Sequence, residues 1–308
     1  MSRRRTSTVR SQSGPRNLLI AGIPRSGTTL TCWLINQLPN SIALTEPMNV
    51  AELTKARDVN AQMQEIDGFI QEVRQLALKG QPLPGKVIKG GGANIFLSAP
   101  GGHRRSMVAA SARVEVSKTL RPDFLLAIKH PNVFAGLLPL LAERFECCAT
   151  VRNPLAVLAS WETIEAPVHR GRAPYAEATD PDLRTTLDSL SGVIDRQLAL
   201  LEWYFQTFTS TLSRDRVIRY EDLISSNGSS LSQLIPEAAE LPNIMKQPLT
   251  GRNQNPIYDN GKHLSRCAEA LLERDEHACW KLYDQSEVRE LCEATRNRRA
   301  GPQPSSYR

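Results

Sequence analysis

Leu18-Leu19-Ile20-Ala21 runs into Gly-Ile-Pro-Arg-Ser-Gly-Thr-Thr, after which Leu30, Trp33, Leu34 and Leu38 recur at helical spacing. A short buried strand, a glycine turn and a helix follow from that order. The spacing Gly22-x4-Gly27 lets successive backbone N–H groups point inward, and the helix adds the positive end of its dipole. The loop is therefore a cradle for a phosphate-like anion. A Walker loop would place lysine after the second glycine; here Thr28 stands there, and the cation, Arg25, lies inside the loop.

The rest of the chain repeats the alternation of strand and helix. Ser41 to Thr45 reads as a strand ending at Glu46-Pro47, and residues 59–78 as an amphipathic helix with Met63, Ile66, Ile70, Val73 and Ala77 on one side. Gly80 to Gly85 closes that helix, Val87-Ile88 and Val114 to Val116 read as short strands, and the glycines at 90–92 and 99–102 as flexible punctuation. Phe124 to Ile128 is a buried strand leading to Lys129-His130-Pro131, Leu137 to Ala142 is helical, and Phe145 to Val151 is a strand ending at Arg152. Asn153-Pro154 supplies a helix cap followed by proline at the first helical position. A long helix is expected around 186–209, a strand at 217–220, and helices near 264–281 and 285–295. The fold class is thus α/β: a three-layer P-loop fold whose mostly parallel central sheet is flanked by helices. Gly22 to Thr29, Glu46, His130 and Arg152 would all gather beyond the carboxyl ends of its strands, where such sheets bind ligands.

The net charge of +6 is misleading about partners, because Arg3, Arg4, Arg5, Arg10 and Arg16 fall in an opening stretch without a single acid. Residues 1–16 are expected to be a disordered basic tail, with residues 17–308 forming one domain; no aromatic interrupts the tail for base stacking, so no specific nucleic acid is expected. No apolar run is long enough for a membrane span and none follows the arginines as a signal peptide would, which makes the cytoplasm the expected location. The six cysteines match no zinc spacing and read as reduced, buried thiols, with Cys147 and Cys148 facing opposite sides of their strand.

GIPRSGTTLTCWLINQLPN resembles the 5'-phosphosulfate-binding loop of the P-loop sulfotransferases, and its arginine form is similar to that of the tyrosylprotein and related bacterial-type enzymes. VRNPLAVLASW resembles the family's second signature, an arginine at a strand end followed two helical turns later by a serine. The resemblance implies 3'-phosphoadenosine 5'-phosphosulfate (PAPS) as donor and 3'-phosphoadenosine 5'-phosphate (PAP) as product. It implies that Arg25, Ser26, Gly27, Thr28 and Thr29 hold the 5'-phosphate, and that Arg152 and Ser160 hold the 3'-phosphate. VIRYEDL and GKHLSR resemble further family segments, which adds Tyr220, Lys262 and Arg266 near the nucleotide. An arginine fork suits a dianionic phosphate bidentately. No metal is required by this arrangement.

In-line transfer to an acceptor hydroxyl needs a base on one side and cations on the other. Arg25 fits the second role. For the base, Glu46 occupies the place of the catalytic glutamate in the tyrosylprotein enzymes, whereas His130 in IKHP resembles the KTHxP segment of cytosolic small-molecule sulfotransferases with one residue missing. Glu46 is favoured and is expected to need a raised pKa, or to sit in a salt bridge with Arg25; His130 is then a substrate hydrogen-bonder or a structural group, and Lys129 a contact for the sulfuryl oxygens. Insertions near 90–118 and 162–185, with 48–58, are expected to shape the site of a small-molecule or carbohydrate acceptor, using Trp161, His169, Arg170, Arg172 and Tyr175. A small-metabolite kinase and a non-catalytic nucleotide-binding scaffold remain alternatives.

Overall fold

A computed structural model describes residues 15–50, 53, 58–88, 96–98, 105–107, 109–258 and 261–300. Its centre is a five-stranded parallel sheet of order β2-β7-β1-β8-β9, formed by β1 (Arg16–Gly22), β2 (Ser41–Thr45), β7 (Leu125–Lys129), β8 (Glu146–Val151) and β9 (Val217–Arg219). The strands are near-continuous apolar runs because both faces are covered. Leu19 and Cys147 pack into the larger apolar cluster, while Leu18, Ile20 and Cys148 pack into the smaller one. The two adjacent cysteines thus face opposite layers, and none of the six is in a disulfide.

The register brings the strand ends level: Ile20 and Thr45 both pair with Lys129, and Gly22 pairs with Thr150. The chain leaves β1 for β2, two positions to one side, and later crosses from β7 to β8 on the other. That reversal opens a crevice beyond the carboxyl end of β1, where the glycine loop lies.

Helix Thr28–Ile35 follows the loop, and helix Val59–Leu78 occupies the span its periodicity predicts. Arg74 is an unexpected member of that helix's buried face; its guanidinium donates to the carbonyls of Arg16, Pro122 and Phe124 and to Asn17 Oδ1. Helix Pro154–Glu162 starts as the sequence implies, with Asn153 Oδ1 accepting from the Leu155 and Ala156 amides.

Several boundaries differ. The segment expected as one helix over 186–209 is two, Pro181–Ser189 and Val193–Thr211. Leu190 and Ser191 turn the chain between them, and Arg196 Nη1 donates to both of their carbonyls. Gly80 to Gly85 is not all turn, because β3 (Leu83–Ile88) begins inside it and pairs antiparallel with β6 (Ala109–Val114). The second of these strands lies upstream of the expected 114–116. A further pair, β4 (Phe96–Ser98) and β5 (Arg105–Met107), lies in the same insertion. The glycines at 90–92 and 99–102 lie outside the described residues. So does most of the basic leader, except that Arg16 opens β1 and pairs with Glu237 at 3.0 Å. Tyr220 begins helix Tyr220–Ser225 rather than ending a strand.

Candidate active site

The loop's conformation follows from its residues. Gly27 has φ +97°, and a Cβ there would stand 2.7 Å from a ring carbon of Tyr220. Alanine would meet both strain and a clash, so Gly27→Ala is expected to lower stability by roughly 1–3 kcal/mol, measurable by denaturant unfolding, and to weaken anion binding. The first amides of helix Thr28–Ile35 have no carbonyl one turn behind them and are available to an anion. Arg25 also has positive φ, at 76°, which a non-glycine residue adopts only under constraint. Trp161, fully buried, supplies part of that constraint by donating from Nε1 to the Pro24 carbonyl at 2.8 Å. It braces the loop and is not an acceptor-site group.

Ser26 differs from its expected role. Its hydroxyl turns into the sheet, donating to the Thr150 carbonyl at 2.8 Å, and the residue does not line the cleft. Gly27, Thr28 and Thr29 do line it. Ser160 is fully buried and its Oγ accepts from Arg25 Nε at 3.2 Å, so loop and second signature meet.

Arg152 is 4% exposed, and its guanidinium lies over the Tyr220 ring at 4.8 Å. Its donors reach Asn253 Oδ1 at 2.7 Å, the Arg252 carbonyl at 2.6 Å, the Arg25 carbonyl at 3.1 Å and the Tyr258 hydroxyl at 3.4 Å. Segment 252–258 therefore straps the guanidinium, in the role expected of residues further on. Arg266 is exposed and outside the cleft lining; Lys262 begins the same helix, and its side chain lies outside the described residues. Nothing in RNQNPIYD announces this contact beyond an Asn-Pro turn signal. Glu221 fixes the strap, its Oε1 accepting from Asn253 Nδ2 at 2.7 Å and from the Asn153 amide at 2.9 Å. Burial works against ionisation of the Tyr258 phenol, but Arg152, a hydrogen bond with Ser160 and the charge of Arg25 outweigh it and lower its pKa.

Glu46 follows β2 with φ 45°, facing the loop across the cleft. It is not paired with Arg25. Lys129 Nζ reaches Oε1 at 3.0 Å, and Lys86 Nζ, carried in by β3, reaches Oε2 at 2.6 Å. Burial alone would raise the carboxyl pKa, but Lys129 and Lys86 overcome it and bring it down to about 2. The expected raised pKa is thus reversed by two ammonium groups. Lys86 carries no sequence signal, since only the long-range pairing of β3 with β6 puts it there.

His130 and Lys129 both line the cleft despite the shortened motif, because the strand ends at Lys129 and His130 caps the next helix. The His130 Nε2 accepts from the Met48 amide at 3.1 Å, which places the ring proton on Nδ1. Burial chiefly lowers its pKa, to about 3, with Glu46 opposing and the two lysines assisting. A neutral ring whose Nε2 is occupied is a donor, not a base. On linkage, the unfolded chain binds the extra proton below 6.5 at His130 and below 4.5 at Glu46, so both make folding stability rise with pH. The expected melting curve loses stability steadily from pH 6.5 down to about 3, and His130→Asn removes the upper part of that loss.

These groups share a cleft of about 1300 Å³. Of the residues assigned to the acceptor site, Arg172 and Tyr175 line it, whereas His169 and Arg170 do not; none of the described residues of 90–118 does. A stretch from Ile244 to Thr250, unanticipated from sequence, closes the side near Arg152. Among the described residues no group of three His, Cys, Asp or Glu is placed to hold a metal ion, and no helix is long and apolar enough to cross a membrane.

No protein-family model and no curated protein matches the chain. Among solved structures it is similar to the sulfotransferase domain from the Synechococcus PCC 7002 olefin synthase, with 14% identity and a TM-score of 0.33 over 94% of this chain and 96% of that one.

Proposed function

We propose that this chain is a sulfotransferase that moves a sulfuryl group from PAPS to an acceptor hydroxyl. The observation that carries the reading is the meeting, in one cleft, of an anion-ready loop with Arg25, a second buried guanidinium at Arg152, and the ionised carboxylate of Glu46. The residues fit a bisphosphorylated nucleotide: open amides at a helix start, two arginines bridged by Ser160, and an aromatic face at Tyr220. When bound, PAPS supplies the activated sulfuryl group.

The chain's own groups divide the remaining work. The amides and hydroxyls of Thr28 and Thr29 hold the 5'-phosphate, and Arg25 steadies charge on the leaving side. Arg152, released from part of its strap, holds the 3'-phosphate. Glu46 receives the acceptor proton, Lys129 orients its carboxylate, and the His130 Nδ1–H donates to the acceptor. A carboxylate with a pKa of about 2 is a weak base, so proton removal requires Lys86 to withdraw from Oε2. The size of the cleft supports two ligands, since single-ligand pockets run from about 300 to 1,000 Å³. Calorimetric titration tests the donor class. PAP is expected to bind and ATP with Mg²⁺ to compete poorly; preference for ATP with Mg²⁺ overturns the reading in favour of a kinase, and binding of neither leaves a scaffold.

A further inference from the structure

The cleft has two unlike ends. Arg25, Arg152 and Arg252 make one cationic, whereas the other is walled by Val50, Val133, Ile164, Pro167, Val168 and Tyr175. This apolar end adjoins Glu46. Helix Pro131–Gly136 starts at His130, supplies Val133 and packs on helix Pro174–Thr179, where Tyr175 ring carbons approach Gly136. An acceptor presenting its hydroxyl to Glu46 would lay its body along this wall.

Three polar groups of the wall are already engaged. Asn132 Oδ1 accepts from the Tyr204 hydroxyl at 2.6 Å, His130 Nε2 from the Met48 amide, and Arg172 pairs with Glu177 at 2.5 Å and Asp188 at 2.7 Å. The Tyr175 hydroxyl differs: it is buried, in a residue 8% exposed, and has no hydrogen-bond partner. A buried hydroxyl left in that condition carries a desolvation penalty that a ligand group relieves. Its ring already lines the cleft, so a turn of the side chain brings the oxygen to a bound molecule.

Resting on the sulfotransferase reading, we propose that the acceptor is an amphipathic alcohol with an apolar ring or chain, and that Tyr175 selects it by hydrogen-bonding a second polar group on it. A carbohydrate would bring many hydroxyls against a wall that answers few of them, at the cost of their lost hydration.

The test titrates the PAP-saturated protein with 2-naphthol, 2,6-dihydroxynaphthalene and methyl β-glucoside. Both naphthols are expected to bind, the dihydroxy compound about tenfold more tightly, as one added hydrogen bond allows. In Tyr175→Phe that tenfold advantage disappears while PAP affinity stays. Binding of the glucoside at least as tight as that of 2-naphthol overturns the acceptor class. An unchanged naphthol ratio in Tyr175→Phe, with a raised melting temperature, makes the phenol a merely buried group and overturns its role. The titrations are repeated without nucleotide, so that a failure of PAP to bind contradicts the donor reading while the naphthol-over-glucoside order still reports on the wall.

Discussion

Arg152→Ala is expected to weaken PAP binding about 100-fold, the loss of a bidentate charge-assisted contact worth roughly 3 kcal/mol at tenfold per 1.4 kcal/mol. The guanidinium also ties the strap to the loop through the carbonyls of Arg252 and Arg25, so alanine loosens the fold as well. Arg152→Lys separates the two effects. Lysine keeps the charge but loses the planar fork, and about tenfold weaker binding is expected with the melting temperature mostly retained. Equal binding by all three proteins would place the 3'-phosphate elsewhere.

Glu46→Gln is expected to slow sulfuryl transfer by about 10²- to 10⁴-fold, the usual contribution of a positioned base, while leaving PAP affinity close to that of the parent. It also leaves Lys129, 1% exposed, without its carboxylate partner. A stability loss on the order of 1–3 kcal/mol should accompany it, less than for a fully enclosed pair because Glu46 is 20% exposed. Lys86→Ala acts on the same carboxylate in the opposite sense. Removing that ammonium raises the Glu46 pKa from about 2, so the acid limb of the rate profile moves to higher pH, whereas a purely structural lysine would leave the limb in place.

How far these residues could be read from sequence depends on the range of the interactions that place them. The loop was legible because strand, glycine spacing and helix are contiguous between Leu18 and Leu38, and Glu46 and Arg152 because each ends an apolar run. Ser26 was misassigned because its type suits a phosphate, and only the pairing of β1 with β8 reveals Thr150 as its partner. Lys86, Asn253 and Tyr258 reach the site from an antiparallel ribbon and an irregular strap, segments without periodicity, so no local pattern marks them. The Glu46 pKa was expected in the wrong direction for the same reason: burial was inferable from position, but Lys86 was not.

The placement of the donor is tested most directly by the crystal structure of the protein with PAP. The account requires the 5'-phosphate against the amides of Thr28 and Thr29, and the 3'-phosphate against Arg152 and Ser160. A nucleotide lying in the apolar end beside Tyr175, or phosphates that leave Arg152 untouched, would contradict it.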